Sequence, residues 1–116
     1  MRILIVDDSS MMRKMIAKVI CSRGNHTVVG EAKNGIEALE LYKTLKPDLV
    51  TMDITMSGMD GLTAAREILL YDNEAHILFL SNLDKEKYSD DIKNIKAIGF
   101  VNKHKSQDIL DIINSD

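Results

Sequence analysis

The chain reads as an α/β protein, a doubly wound parallel sheet with helices on both faces. Three observations predict it. Five short apolar runs, at residues 3–6, 27–32, 49–52, 76–80 and 97–101, alternate with five stretches whose apolar residues fall at helical spacing. The first and third runs are apolar almost throughout, as strands buried on both faces are. Both of these runs end in acid, Asp7-Asp8 after the first and Asp53 after the third. A buried strand that ends in a carboxylate and opens into a loop is how α/β proteins present a reactive group.

The 116 residues suit a single domain over 1–116, and 45% hydrophobic with 28% charged residues suits a globular protein. A net charge of -3 gives no footprint for nucleic acid. The single cysteine, Cys21, excludes an internal disulfide and fits a reducing compartment. The apolar runs are too short to span a membrane, and Met1-Arg2 leads straight into a strand rather than a signal peptide. A cytoplasmic location is therefore expected.

In chain order, residues 3–6 form the first strand, and Ser9 or Ser10 caps the helix that follows. That helix carries Met12, Met15, Ile16 and Val19 at helical spacing, with Arg13, Lys14 and Lys18 turned outward. The methionines read as core filler rather than a soft-metal site, and Cys21 as a packed or half-packed thiol. Arg23-Gly24-Asn25 stops the helix. After the second strand, Asn34-Gly35 makes a turn. Ala38, Leu41, Tyr42 and Leu45 then mark the inner face of a second helix, ended by Lys46-Pro47. The third strand leads to Asp53 and the loop Ser57-Gly58-Met59-Asp60-Gly61. Leu62, Ala65, Ile68 and Leu69 line the third helix. A polar connection, 71–74, precedes the fourth strand, which runs into Ser81-Asn82. A fourth helix over 85–96 has only Tyr88, Ile92 and Ile95 as apolar anchors, so burial holds it loosely. The fifth strand leads to Lys103. A short last helix starts near Ser106 and uses Ile109, Leu110, Ile112 and Ile113.

If strands 1 and 3 are neighbours, Asp7, Asp8 and Asp53 meet at one edge of the sheet. Carboxylates so placed repel one another and call for a cation. Hard oxygen ligands select a hard divalent ion, Mg²⁺ where phosphate is also handled. Taken singly, Asp53 could be an idle solvated acid, Ser81 a helix cap and Lys103 one of many surface lysines beside His104 and Lys105. Their occurrence together at successive strand ends marks a site. His26, His76 and His104 are scattered and form no metal set.

Asp7-Asp8, Asp53, Met56, Met59-Asp60-Gly61, Ser81 and Phe100-Val101-Asn102-Lys103 resemble, in order and spacing, the receiver domain of two-component response regulators. The resemblance covers essentially the whole chain. It implies a flavodoxin-like sheet of order 2-1-3-4-5, with the site beyond the carboxyl ends of strands 1 and 3; receivers are themselves a standard example of that rule. It further implies that Asp53 is the phosphoacceptor, giving an acyl phosphate. Mg²⁺ would be held by Asp8, Asp53 and the backbone carbonyl of Thr55, with Asp7 acting through water. Lys103 and Ser81 would contact phosphoryl oxygens. Thr55 and Leu83 would set the rate of dephosphorylation, and neither is an acid or amide able to orient water, so a long-lived phosphorylated state is expected. Ser81 and Phe100 would be the switch residues, changing a partner-binding face made of helix 4, strand 5 and helix 5.

Several positions depart from the receiver pattern. Ser57 stands where Pro is common, Asn82 where Ala or Gly is usual, His104 where Pro usually follows the lysine, and Lys96 where a small residue is frequent. None removes a catalytic group. The expected function is a stand-alone phosphoacceptor switch, chemotaxis-type or a phosphorelay intermediate. Its partners would be a histidine kinase or phosphotransfer protein and a downstream protein target, with no nucleic acid or membrane contact, as a monomer or weak dimer. It would be no enzyme beyond its own phosphorylation and dephosphorylation. The alternatives are an aspartyl-phosphate phosphohydrolase, disfavoured because Thr55 stands where such enzymes need a second acid, and a receiver fragment of a longer transcriptional regulator.

Overall fold

A computed structural model describes residues 1–22, 24–54, 56, 60–81, 95, 97–105 and 107–113. Their elements run β1 (Arg2–Val6), α1 (Ser10–Cys21), β2 (Thr27–Ala32), α2 (Gly35–Leu45), β3 (Leu49–Asp53), α3 (Gly61–Tyr71), β4 (Ile77–Ser81) and β5 (Gly99–Asn102). A 3₁₀ turn (Lys103–Lys105) and a C-terminal helix (Asp108–Ile113) follow. The expected fourth helix, with Tyr88 and Ile92, lies outside the described residues.

The five strands pair in parallel in the order β2-β1-β3-β4-β5. Parallel neighbours need a crossover on one or other face, usually a helix, so the apolar side chains of the strands serve two cores. Period-two alternation divides them. Ile3, Ile5, Leu49, Leu78, Leu80 and Val101 pack with Ile16 and Ile20 of α1 and Ile109, Leu110 and Ile113 of the C-terminal helix. Leu4, Val6, Val50, Met52, Ile77 and Phe79 pack with Ala38 and Tyr42 of α2 and Ala65 and Ile68 of α3. The central strands β3 and β4 are buried at every position, which is why they read as unbroken apolar runs.

Helix starts are fixed by side chains that satisfy first-turn amides. Ser9 accepts from the Met12 amide, Asn34 from Glu37 and Asp60 from Thr63. Each such cap stabilises its helix by about 1 kcal/mol. Four expectations are corrected here. Asn34-Gly35 is no separate turn, since Asn34 is the cap and Gly35 the first residue of α2. Met11 and Met15 are exposed, because the buried stripe of α1 is narrow and centred on Ile16 and Ile20, leaving its flank open. Cys21 is also exposed, as the last helical residue and one position past that stripe. The stop after α1 falls at Ser22, whose amide closes the helix on the Val19 carbonyl, ahead of Gly24 at φ 73°.

Candidate functional site

The parallel sheet brings the ends of β1, β3, β4 and β5 to one edge, and the polar residues buried there are those the sequence singled out. Asp7 follows β1 directly. Its amide still pairs with the Ala32 carbonyl of β2, so it is held as an extension of the strand. Its side chain is fully buried, with Oδ1 accepting from the Ser9 amide at 2.9 Å. Asp53 closes β3 at 1% exposure, in register with Leu80 of β4. Ser81 closes β4, fully buried and opposite Asn102. Lys103 opens the turn after β5 and is buried too.

Lys103 joins the two buried acids. Its Nζ lies 2.7 Å from Asp7 Oδ2 and 3.2 Å from Asp53 Oδ2. Burial alone would push this ammonium's pKa down. The hydrogen bond it donates to Asp7 and the negative charge of Asp53 outweigh burial and hold it above the ordinary lysine value. A buried lysine balancing two buried carboxylates is not one of many solvated lysines.

Asp8, next in chain, is exposed, yet its carboxylate converges with the other two: one oxygen from each of Asp7, Asp8 and Asp53 falls within 4.8 Å of the others. Three hard anionic donors, two buried and one open to solvent, fit a divalent cation of the Mg²⁺ type, with the exposed side as the way in. Among the described residues no histidine joins a metal-binding group. Thr55 and Leu83, together with Ser57, Asn82 and Lys96, lie outside the described residues.

Strand parity divides the remaining functional residues. Asp7, Asp53 and Lys103 continue the alternation that begins with Ile3-Ile5, Leu49-Thr51 and Val101, the face that packs on α1. Ser81 continues the alternation of Ile77-Phe79, and Phe100 is half-buried against that same opposite core. Asp53 and the expected switch pair, Ser81 and Phe100, thus have opposite strand parity.

Two contacts were not read from the sequence. Gly61 packs directly on the end of β3: its amide donates to the Ile54 carbonyl at 2.9 Å, and a Cβ there would run into the Asp53 carbonyl oxygen. The glycine was visible in the loop, but what it touches depends on how α3 docks. Arg13 is not turned outward as expected. Its Nη1 donates to the Asp7 carbonyl oxygen at 2.6 Å and its Nε to Glu31 at 3.2 Å. The bend between β1 and α1 folds the first turns of the helix back over the strand end, which helical periodicity alone does not reveal.

Parallel α/β proteins with this strand order and an acid-lined edge form a recognisable class. Residues 3–114 match the model of the response regulator receiver domain, and the chain belongs to that family. It is 45% identical over 114 residues to the chemotaxis protein CheY of Bacillus subtilis, covering 97% of this chain and 94% of that protein. It is 49% identical over 85 residues to the CheY of Thermotoga maritima, covering 73% and 70% of the two chains. A chain in the CheX–CheY–BeF3–Mg²⁺ complex from Borrelia burgdorferi superposes with a TM-score of 0.91 at 33% identity, over 98% of this chain and 87% of that one. Among the described residues no helix is long and apolar enough to cross a membrane.

Proposed function

We propose that this receiver is an Mg²⁺-dependent phosphoacceptor of a two-component system, with Asp53 as the acceptor. The observation that carries the proposal is the buried Asp7–Lys103–Asp53 triad with Asp8 beside it. Phosphoryl transfer asks chiefly for positioning and for charge neutralisation on the transferring oxygens. Asp53 Oδ attacks phosphorus, an O–P bond forms, and the bond from phosphorus to the donor breaks, its electron pair leaving with the donor. A phosphohistidine donor departs as imidazole after taking a proton. Asp8 and Asp53, with the Thr55 carbonyl, would hold the cation, whose contribution when bound is to neutralise the phosphoryl oxygens. Lys103 supplies a second positive charge, and the Ser81 hydroxyl a hydrogen-bond donor.

Phosphate on Asp53 then draws on Ser81 at the end of β4. Phe100 of β5 packs against the core behind β4, so a shift of Ser81 changes the room available to it. The partner face includes β5 and the C-terminal helix, together with the expected fourth helix, which lies outside the described residues. The chemotaxis names of the Bacillus and Thermotoga relatives support a role of that type, and the Borrelia complex, which joins CheX to CheY with BeF3 and Mg²⁺, supports a protein partner for the activated form. The domain turns over no substrate other than its own phosphoryl group.

The test is incubation with a small-molecule phosphodonor, with and without Mg²⁺. One phosphoryl group per chain is expected, on Asp53, and only with the cation. Normal phosphorylation of Asp53→Ala overturns the assignment.

A further inference from the structure

We propose that Arg13 is a positioning residue for the cation site: it fixes the peptide joining Asp7 to Asp8 and so aims the Asp8 carboxylate. The proposal rests on reading Asp7, Asp8 and Asp53 as that site. The three acids are held very differently. Asp53 ends a strand buried between two neighbours. The Asp7 side chain is fastened by the Ser9 amide and by Lys103. Asp8 is exposed and sits in a bend, so its direction depends on the backbone that carries it.

That backbone is where Arg13 acts. The Asp7 carbonyl is one end of the rigid peptide plane whose other end is the Asp8 amide. Arg13 Nη1 donates to this carbonyl at 2.6 Å, a short charge-assisted bond. The guanidinium is fixed in turn. Its Nε reaches Glu31 of β2 at 3.2 Å, and its stem rises from the first turns of α1, whose start is set by the Ser9 cap. With the Arg13 side chain only 17% exposed, the fork spans three elements: the end of β1, β2 and α1.

Energetics favour a positioning role. An ion pair with a half-exposed Glu31 contributes little to folding. Groups that orient metal ligands from behind commonly change metal affinity 10–100-fold. A lysine ammonium lacks the planar fork with which Arg13 Nη1 and Nε address the carbonyl and Glu31 from fixed directions.

The experiment is Mg²⁺ titration of the unphosphorylated protein, followed by amide NMR shifts, for wild type, Asp8→Asn, Arg13→Met, Arg13→Lys and Glu31→Gln. Metal-free urea midpoints are measured alongside. Arg13→Met is expected to weaken Mg²⁺ about tenfold. Arg13→Lys should fall between it and wild type, and Glu31→Gln should lose less than Arg13→Met. A role confined to the fold would lower the urea midpoint and leave affinity unchanged, and that result overturns the proposal. If Arg13→Met fails to fold, Arg13→Lys decides: wild-type affinity in that variant also overturns it. Equal affinity of wild type and Asp8→Asn would instead remove the cation site itself, and the proposal with it. Strong dependence on Asp8 with none on Arg13 rejects the proposal alone.

Discussion

Gly61 gives the sharpest test of how the fold positions Asp53. It is the first residue of α3, and Asp60 before it caps the helix. Its backbone sits so close to the end of β3 that a methyl group has nowhere to go. A Cβ would collide with the Asp53 carbonyl oxygen and lie 2.8 Å from both the Asp53 carbonyl carbon and the Ile54 Cα. All three obstacles are backbone, so no side-chain rotation relieves them. Either α3 lifts away from β3 or the end of β3 moves.

In Gly61→Ala the displacement needed to reach ordinary contact is on the order of 1 Å. Overpacking of this kind costs about 1–3 kcal/mol. A misplacement of about 1 Å at a reacting group can cost on the order of 100-fold in rate. The two effects separate in the assay. Urea unfolding reads the first. Phosphodonor-driven phosphorylation at saturating Mg²⁺, under conditions where the variant is folded, reads the second. A stability loss with an unchanged phosphorylation rate would mean that α3 yields and Asp53 stays in place. An unchanged midpoint as well would refute the close packing itself.

Three further changes probe the sheet and its edge. Lys103→Met leaves two buried acids without their ammonium and should destabilise the metal-free fold by about 3 kcal/mol, while Mg²⁺ should raise its thermal midpoint more than it raises that of wild type. Because the folded pKa of Lys103 is raised, its stabilisation is complete below the unfolded value of 10.5 and disappears as pH climbs through the folded value, so wild type should lose more stability in alkaline urea titrations than Lys103→Met does, the loss shared by both coming from groups such as the buried Tyr42 phenol. Thr51 is fully buried between Ile5 and Leu78, and its hydroxyl has no hydrogen-bond partner among the described residues, so Thr51→Val should raise the urea-derived stability by about 1 kcal/mol; a loss would show that the hydroxyl is satisfied. Lys46 caps α2 at φ 47°, the left-handed region, and Lys46→Gly should add about 0.5–1 kcal/mol in the same measurement, because the strain is in the backbone and the Lys46 carbonyl bond to Arg2 is kept.

Much of this was legible because parallel sheets write themselves plainly. Strands buried on both faces are unbroken apolar runs, so the boundaries of β1 and β3, and the acids that follow, could be placed from residue type alone. Lys103 was legible as a member of an ordered set. Its bridge between Asp7 and Asp53 was not, because that depends on β5 lying two strands from β3. Periodicity failed at α1. The exposure of Met11, Met15 and Cys21 follows from which part of the helix the sheet covers, a fact of docking rather than of spacing. Arg13 departs from the wheel for the same reason: a helical wheel has no term for the strand end the helix has just left.

The division of the sheet bears on the proposed coupling between Asp53 and the partner face. Odd-numbered positions of β1 and β3 fill the core under α1, and beyond the point where that core ends the same parity delivers Asp7 and Asp53. The chemistry therefore occupies the last layer of an otherwise apolar face, where burial sharpens every charge interaction. Ser81 has the parity of Ile77 and Phe79, which pack into the other core, and Phe100 rests against that core from the neighbouring strand. The end of β3 meets β4 at its backbone edge, through the pairing of Asp53 with Leu80 and the bond from the Ile54 amide to the Leu80 carbonyl. Leu80 and Ser81 are consecutive and face opposite ways. In the proposed switch, a displacement of that strand end on the α1 side would also move Ser81 on the other side, where Phe100 rests half-buried.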